Sequence, residues 1–115
     1  FVNHFEIAKF CHMSKMDICL DISHSVMACN YYGWSIEDFI KKIAEHAVHI
    51  HISDAKGDAG EGIMMGSGDI NFDRFIKTLN ELVPDVPFIP EIWQGHQNNG
   101  QGFWSALDFL ERHKL

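Results

Sequence analysis

The sequence predicts an α/β fold of consecutive βα units around a parallel sheet. Three short segments, residues 18–22, 48–52 and 88–92, alternate between two sets of side chains with the period of two that is typical of a strand. Stretches with apolar residues every three or four positions separate them, as expected for helices. Since short connections join each strand to the next helix, the strands should run parallel with right-handed crossovers. A chain of 115 residues has room for one domain, over residues 1–115, with a modest core.

The first helix is predicted over residues 1–16. Its inner face should carry Val2, Phe5, Ala8 and Cys11. His4 and His12 are interpreted as surface or half-buried side chains. The strand over residues 18–22 follows, with Cys19 and Asp21 on the side that faces away from the helices.

A loop over residues 23–34 is predicted to lead into the second helix. Ser35 is its predicted N-cap, with Asp38 as the capping-box partner three residues on. The helix should pack on the core through Ile36, Phe39, Ile40, Ile43, Ala44 and Ala47.

The central strand has the most regular alternation in the chain. Val48, Ile50 and Ile52 should face the helices, whereas His49 and His51 should face the other way. Residues 54–68 are predicted to form a long loop that holds five of the nine glycines. Loops of that length in compact domains are often functional.

The last part of the chain repeats the same order of elements. Asn71 is predicted to cap a helix that Pro84 stops, with a stripe formed by Phe72, Phe75, Ile76, Leu79 and Leu82. The strand over residues 88–92 and a second Gly-rich loop over residues 95–102 follow. The closing helix should bury Phe103, Ala106, Leu107 and Leu110.

Composition excludes several classes of protein. The net charge of -7, without any basic cluster longer than Lys41-Lys42, argues against a nucleic-acid partner. No apolar run is long enough for a membrane span, and no signal peptide opens the chain. Three cysteines without CxxC spacing suit a reducing, cytoplasmic setting. The chain begins at Phe1 rather than at Met, as expected of a piece of a longer protein.

Each strand carries one metal-competent side chain near its carboxyl end. These side chains are Asp21, His51 and Glu91, all on the face that points away from the helices. Ligands of parallel sheets gather at the carboxyl ends of the strands, and mixed oxygen and nitrogen donors suit Zn, Mn, Co or Fe(II). The alternative interpretation is a buried histidine with two solvated carboxylates.

Four motifs resemble those of xylose-isomerase-like TIM barrels, which comprise sugar isomerases, epimerases and the related endonuclease IV. They are Leu20-Asp21-Ile22-Ser23-His24, His49-Ile50-His51-Ile52-Ser53-Asp54, Gly66-Ser67-Gly68-Asp69-Ile70-Asn71-Phe72 and Ile89-Pro90-Glu91, in the order seen in that superfamily. The resemblance covers essentially the whole chain. It implies that residues 1–115 form a partial barrel domain, the last three βα units of a (β/α)8 barrel.

The resemblance also assigns roles to residues. The superfamily holds its metal with Glu, Asp, His and Glu from successive strands, so Asp21, His51 and Glu91 match the last three ligands. The first Glu would lie upstream of Phe1. The implied cofactor is a divalent metal (Mn, Zn, Co or Mg), and Glu91 would also be a catalytic carboxylate in proton transfer through an enediolate.

The resemblance further implies contacts to a sugar or sugar phosphate. His24 matches the substrate-binding His of the epimerases, or a second-metal ligand in the nuclease, and is a candidate catalytic residue. Asp54 and Trp93 are candidate substrate-binding residues, although Trp93 can equally pack on the last helix. Gly95, Asn98, Asn99 and Gly100 form a candidate phosphate loop, or else a polar loop with turn glycines.

We therefore expect the complete barrel to be an isomerase or epimerase of carbohydrate metabolism. The nuclease motif Asp-Arg-His-x-x-Ile-Gly-x-Gly, aligned on Gly66 and Gly68, puts Gly60 and Gly62 where its Asp and His belong, which ranks the nuclease lower. The alternative function is a catalytically incomplete structural or assembly module. Because three strands cannot close a barrel, the isolated chain should be inactive and should self-associate or pair with a complementing barrel half.

Overall fold

The computed structural model describes residues 3–115 and contains the predicted alternation of helices and strands. The helices are α1 (His4–Ser14), α2 (Ile22–Tyr32), α3 (Ile36–Ile43), α4 (Phe72–Leu82) and α5 (Gln97–Arg112). The strands are β1 (Ile18–Asp21), β2 (Ala47–Ile52), β3 (Asp54–Lys56), β4 (Gly60–Ile63) and β5 (Phe88–Pro90). A single 3-10 turn at Ala44–His46 leads into β2. The predicted inner position of Val2 lies outside the described residues.

The three predicted strands form one parallel sheet in the order β1-β2-β5. Asp21 is in register with His51, and His51 is in register with Ile89, so the carboxyl ends of the strands lie side by side. Among the described residues, β1 and β5 each pair with β2 alone, and the sheet stays open. The predicted α/β class with parallel βα units is confirmed, and the open sheet is that of a partial barrel.

The sheet has one buried face and one open face. Leu20, Ile50 and Ile52 are buried beneath the helices, whereas Cys19 and Ile89 are exposed on the other side. Val48 was predicted to face the helices, but 53% of its surface is exposed. The register of β1 against β2 shifts between Ile18 and Cys19, as at a β-bulge, and Ala47 takes the buried position instead.

Helices α3 and α4 cover the buried face with the stripes that the sequence predicts. Ser35 and Asn71 cap them, accepting hydrogen bonds from the backbone N–H groups of Asp38 (3.3 Å) and Arg74 (3.1 Å). The buried residues of the two helices are Phe39, Ile40, Ile43, Phe72, Phe75, Ile76 and Leu79. No helix within residues 3–115 is long and apolar enough to cross a membrane.

Helix α2 replaces the loop that was predicted over residues 23–34. Its signals are present in the sequence: Asp21 caps its first turn, Gly33 ends it at φ 70°, and Ile22, Val26 and Cys29 form a buried stripe. The segment was taken for a loop because its polar residues and tyrosines hide that spacing.

The predicted loop over residues 54–68 contains a β-hairpin. Strands β3 and β4 pair in antiparallel fashion, with Asp54 opposite Ile63 and Lys56 opposite Gly60. Helix α2 contacts both strands of the hairpin. The carboxyl end of the sheet is therefore bordered by an ordered layer rather than by a flexible loop.

The carboxylate of Asp54 organises this layer. Asp54 is completely buried, and its two oxygens accept hydrogen bonds from the backbone N–H groups of Ala55 (2.8 Å), Gly66 (2.9 Å), Gly68 (2.8 Å) and Ile70 (3.1 Å). A Cβ at Gly68 would lie 2.4 Å from Asp54 Oδ1, so only glycine fits there. Asp54 was predicted to bind substrate, but its burial and these four bonds leave it a structural role.

Helix α1 packs differently from the prediction. Phe5 was placed on the inner face, but 60% of its surface is exposed, whereas His4, predicted to be exposed or half-buried, is only 6% exposed. The His4 ring lies 5.1 Å from Trp34 and 4.9 Å from Phe39, centroid to centroid. The predicted burial of Cys11 is confirmed.

Helix α5 buries Ala106 and Leu110 as predicted, whereas Phe103 is half-buried and Leu107 is exposed. Its first turn is not right-handed. Asn98, Asn99 and Gly100 have φ values of 51°, 60° and 79°, so the regular helix starts after Gly100.

We predict that Asp54→Ala destabilises the protein strongly. Each buried N–H group that stays unsatisfied costs on the order of 1–3 kcal/mol, and four such groups lose their acceptor. Asp58→Ala removes an exposed carboxylate and is the matched control, expected within about 0.5 kcal/mol of wild type. Urea unfolding measures both, with faster amide exchange at Gly66, Gly68 and Ile70 in Asp54→Ala. Equal stability of the two variants would refute the role of Asp54.

We also predict that acid weakens the fold through His4. Burial lowers the pKa of His4 below its ordinary value of 6.5, with Asp38 opposing and Lys42 adding to this shift, and its Nδ1 has no partner in the described part of the chain. The unfolded chain therefore binds a proton more readily, so stability falls as the pH drops below about 6.5. The free energy of unfolding of His4→Phe should depend less on pH between 7 and 5 than that of wild type. Parallel pH profiles would contradict this prediction.

Candidate metal centre

Three side chains from the three adjacent strands meet at the carboxyl edge of the sheet. Asp21, His51 and Glu91 each offer one ligand atom, and these atoms lie within 4.8 Å of one another. His51 Nδ1 is 2.9 Å from Glu91 Oε2. Glu91 follows β5, and its N–H group donates to the carbonyl of Ile52 (2.9 Å), which holds it against β2. Parallel register thus brings together residues 30 to 70 positions apart in the chain.

Asp21 lies in the most structured position of the three. It ends β1 and caps α2, with Oδ1 accepting hydrogen bonds from the His24 N–H group (3.0 Å) and the Ser23 hydroxyl (3.1 Å). Its Oδ2 lies 2.9 Å from Nδ1 of the His24 ring. Burial acts to raise the pKa of Asp21, but the hydrogen bonds and charge of His24, with the Ser23 bond, outweigh it and the pKa is lowered. Asp21 is therefore held as a carboxylate.

His24 lies between two carboxylates. Its Nδ1 faces Asp21, and its Nε2 contacts Oε2 of Glu61 on strand β4. The hydrogen bond to Asp21 raises the pKa of His24 against the effect of burial, and Glu61 raises it further. Sequence reasoning missed Glu61, because it lies on a hairpin whose pairing leaves no periodic signal in a Gly-rich segment.

The donor set fits a divalent cation. Two carboxylates and one imidazole form a mixed oxygen and nitrogen set. The side chains of Asp21, His51 and Glu91 are 26%, 33% and 54% exposed, so they open toward the uncovered face of the sheet rather than into the core. The surplus of carboxylates is what a cation would neutralise. Metal binding by these residues stays a prediction.

A cleft of about 600 Å³ adjoins the three residues. Its walls include His24, Glu61, Glu91, Trp93, Gln94 and Gln97. Trp93 keeps 77% of its surface exposed, so packing on the last helix does not account for it. Its N–H group donates to the Gly62 carbonyl (2.8 Å), which ties the segment after β5 to the hairpin.

The four residues of the candidate phosphate loop lie in a different arrangement from the one predicted. The N–H group of Gly95 donates to the Ile92 carbonyl (2.9 Å), and that of Gly100 donates to the His96 carbonyl (3.1 Å). Asn98 and Asn99 are exposed in the left-handed turn. With two of its expected donors already bonded within the chain, this segment is a closed turn rather than an anion cradle.

Comparison with known proteins adds a family and one relative. A family model for the xylose isomerase-like TIM barrel matches residues 2–113. An uncharacterized protein of Methanocaldococcus jannaschii, MJ1614, is 38% identical over 71 residues. That match covers 62% of this chain and 26% of the relative, so the chain spans only part of such a protein.

We predict that His51→Ala weakens divalent metal binding by at least about tenfold, because the only nitrogen donor of the set is lost. His49→Ala is the matched control, since its ring lies on the same face at 5.6 Å from that of His51 but outside the ligand set. Titration calorimetry with Mn²⁺ measures both variants. We expect weak binding by this chain and tighter binding by the complete barrel. Identical isotherms for His51→Ala and wild type would remove His51 from the site.

Proposed function

Because this chain belongs to the xylose isomerase-like TIM barrel family, we propose that it forms part of the active site of a metal-dependent sugar isomerase or epimerase. The observation that carries the proposal is the convergence of Asp21, His51 and Glu91 at the carboxyl edge of three parallel strands. That edge is where the active sites of TIM barrels lie. The complete barrel would add the upstream Glu that the family resemblance implies.

Glu91 is the residue that we propose for proton transfer. Its carboxylate borders both the ligand set and the cleft, and its side chain is half exposed. A carboxylate in that position can accept the α-proton of a ketose that enters from the open face. The developing charge is that of an enediolate, and a bound divalent cation supplies Lewis-acid stabilisation of that charge.

His24 is proposed to contact the sugar. Asp21 and Glu61 hold its ring from both sides, which fixes its orientation at the wall of the cleft. A ring held in this way can hydrogen-bond a hydroxyl of the substrate without losing side-chain freedom on binding. Trp93 presents an exposed indole on the opposite rim, a surface suited to the C–H face of a sugar ring.

An abasic-site nuclease is less well supported. The hairpin strand β4 lies beside His24, as its contact with Glu61 demonstrates. At that place the nuclease motif needs an Asp and a His, whereas Gly60 and Gly62 have no side chains to offer. The net charge of -7 adds to the argument, because the DNA backbone is itself negative.

We predict that the complete protein, loaded with Mn²⁺, exchanges the α-proton of ketoses with solvent deuterium. Glu91→Gln should slow this exchange by at least about 100-fold, the usual contribution of a positioned general base. Glu45→Gln, in the exposed 3-10 turn, is the matched control and should exchange at the wild-type rate. Proton NMR in D2O measures all three proteins.

The isolated chain should give no exchange, since a ligand is missing and the barrel is open. Full activity in Glu91→Gln would exclude its role as the base. Metal-dependent cleavage of abasic-site DNA by the complete protein, without ketose exchange, would favour the nuclease instead.

A further inference from the structure

The lining of the cleft carries negative charge without a matching positive side chain. Glu61 and Glu91 border it, and Asp21 lies next to His24. None of the nine Lys and Arg residues, all of which lie in the described part of the chain, lines it. With neutral imidazoles, the three carboxylates outnumber the charges of a divalent cation by one. Proteins recognise phosphate with Arg, Lys or converging backbone N–H groups, so a phosphate would find no cationic side chain on this wall.

Backbone donors do not replace the missing cations. The N–H groups of Trp93, Gly95 and Gln97 donate to the carbonyls of Gly62 (2.8 Å), Ile92 (2.9 Å) and Gln94 (3.0 Å). These N–H groups belong to the segment that forms the rim of the cleft. Since they are already bonded within the protein, they cannot converge on an anion.

The amino end of the last helix is closed as well. In many TIM barrels, a helix start after the last strands holds the substrate phosphate. Here the N–H group of Gly102 donates to the Gly95 carbonyl (3.2 Å), and a Cβ on Gly102 would lie 2.6 Å from Gly95 Cα. The backbone after β5 therefore packs directly on the start of the regular helix, at the place that a phosphate would need.

What the rim offers instead is neutral. Gln94 and Gln97 present amide side chains that both donate and accept, and Trp93 presents an exposed ring. Amides satisfy hydroxyl groups, and an indole packs against the C–H face of a sugar. On these grounds, and resting on the function proposed above, we infer that the cleft takes an uncharged sugar rather than an anionic one such as a sugar phosphate.

The test compares an uncharged polyol with its phosphate ester on the complete, Mn²⁺-loaded protein. Calorimetric titration with xylitol and xylitol 5-phosphate should give at least about fivefold tighter binding of xylitol, the size of one unfavourable, partly exposed charge pair. Equal or tighter binding of the phosphate ester overturns the inference, as does the absence of xylitol binding. Binding of xylitol without any ketose exchange counts against the proposed isomerase alone.

A charge introduced at the rim provides the second arm. Gln97→Lys should shift the ratio of the two affinities toward the phosphate ester by about fivefold. Gln97→Met, which removes the amide without adding charge, is the matched control and should not shift the ratio toward the ester. An unchanged ratio in Gln97→Lys overturns the inference, because anions would then not be excluded by the charge of this rim.

Discussion

The buried carboxylate of Asp54 is the interaction on which the carboxyl edge of the sheet depends. One side chain accepts four backbone hydrogen bonds and so fixes both the start of the hairpin and the turn after it. The hairpin carries Glu61 to His24, and His24 holds Asp21. A residue that no ligand can reach thus determines the geometry of residues that face the cleft. Charge-assisted bonds of this kind are stronger than neutral ones, which suits a segment with little apolar packing of its own.

Asp21 combines two duties that are usually separate. As N-cap it satisfies the first turn of α2, and as the last residue of β1 it points to the open face. The cap restrains the carboxylate before any ligand arrives, so less conformational freedom is lost on binding. The same economy explains why β1 needs no connecting loop: strand, cap and helix follow one another directly.

The parts of the fold that follow from local rules could be predicted from the sequence. Ser35 and Asn71 cap helices as their residue types indicate, and alternation along β2 places His51 on the open face. Val48 shows the limit of alternation, since one bulge reverses the side that a residue faces. Glu61 shows another limit: its place beside His24 depends on pairing between β3 and β4 and on Asp54, none of which is periodic. Helix α2 was predictable in principle from its cap and its terminal glycine.

The open face of the sheet also bears on how such barrels evolve. Its side chains are mostly polar or small, with Ile89 as the large apolar exception. Separating this three-stranded wall from the rest of a barrel would therefore expose little hydrophobic surface on this side, and the main loss would be edge hydrogen bonds that any parallel strand can restore. A wall of this kind is suited to exchange by gene fusion, because a new neighbour has to match a strand edge and not an interlocking core.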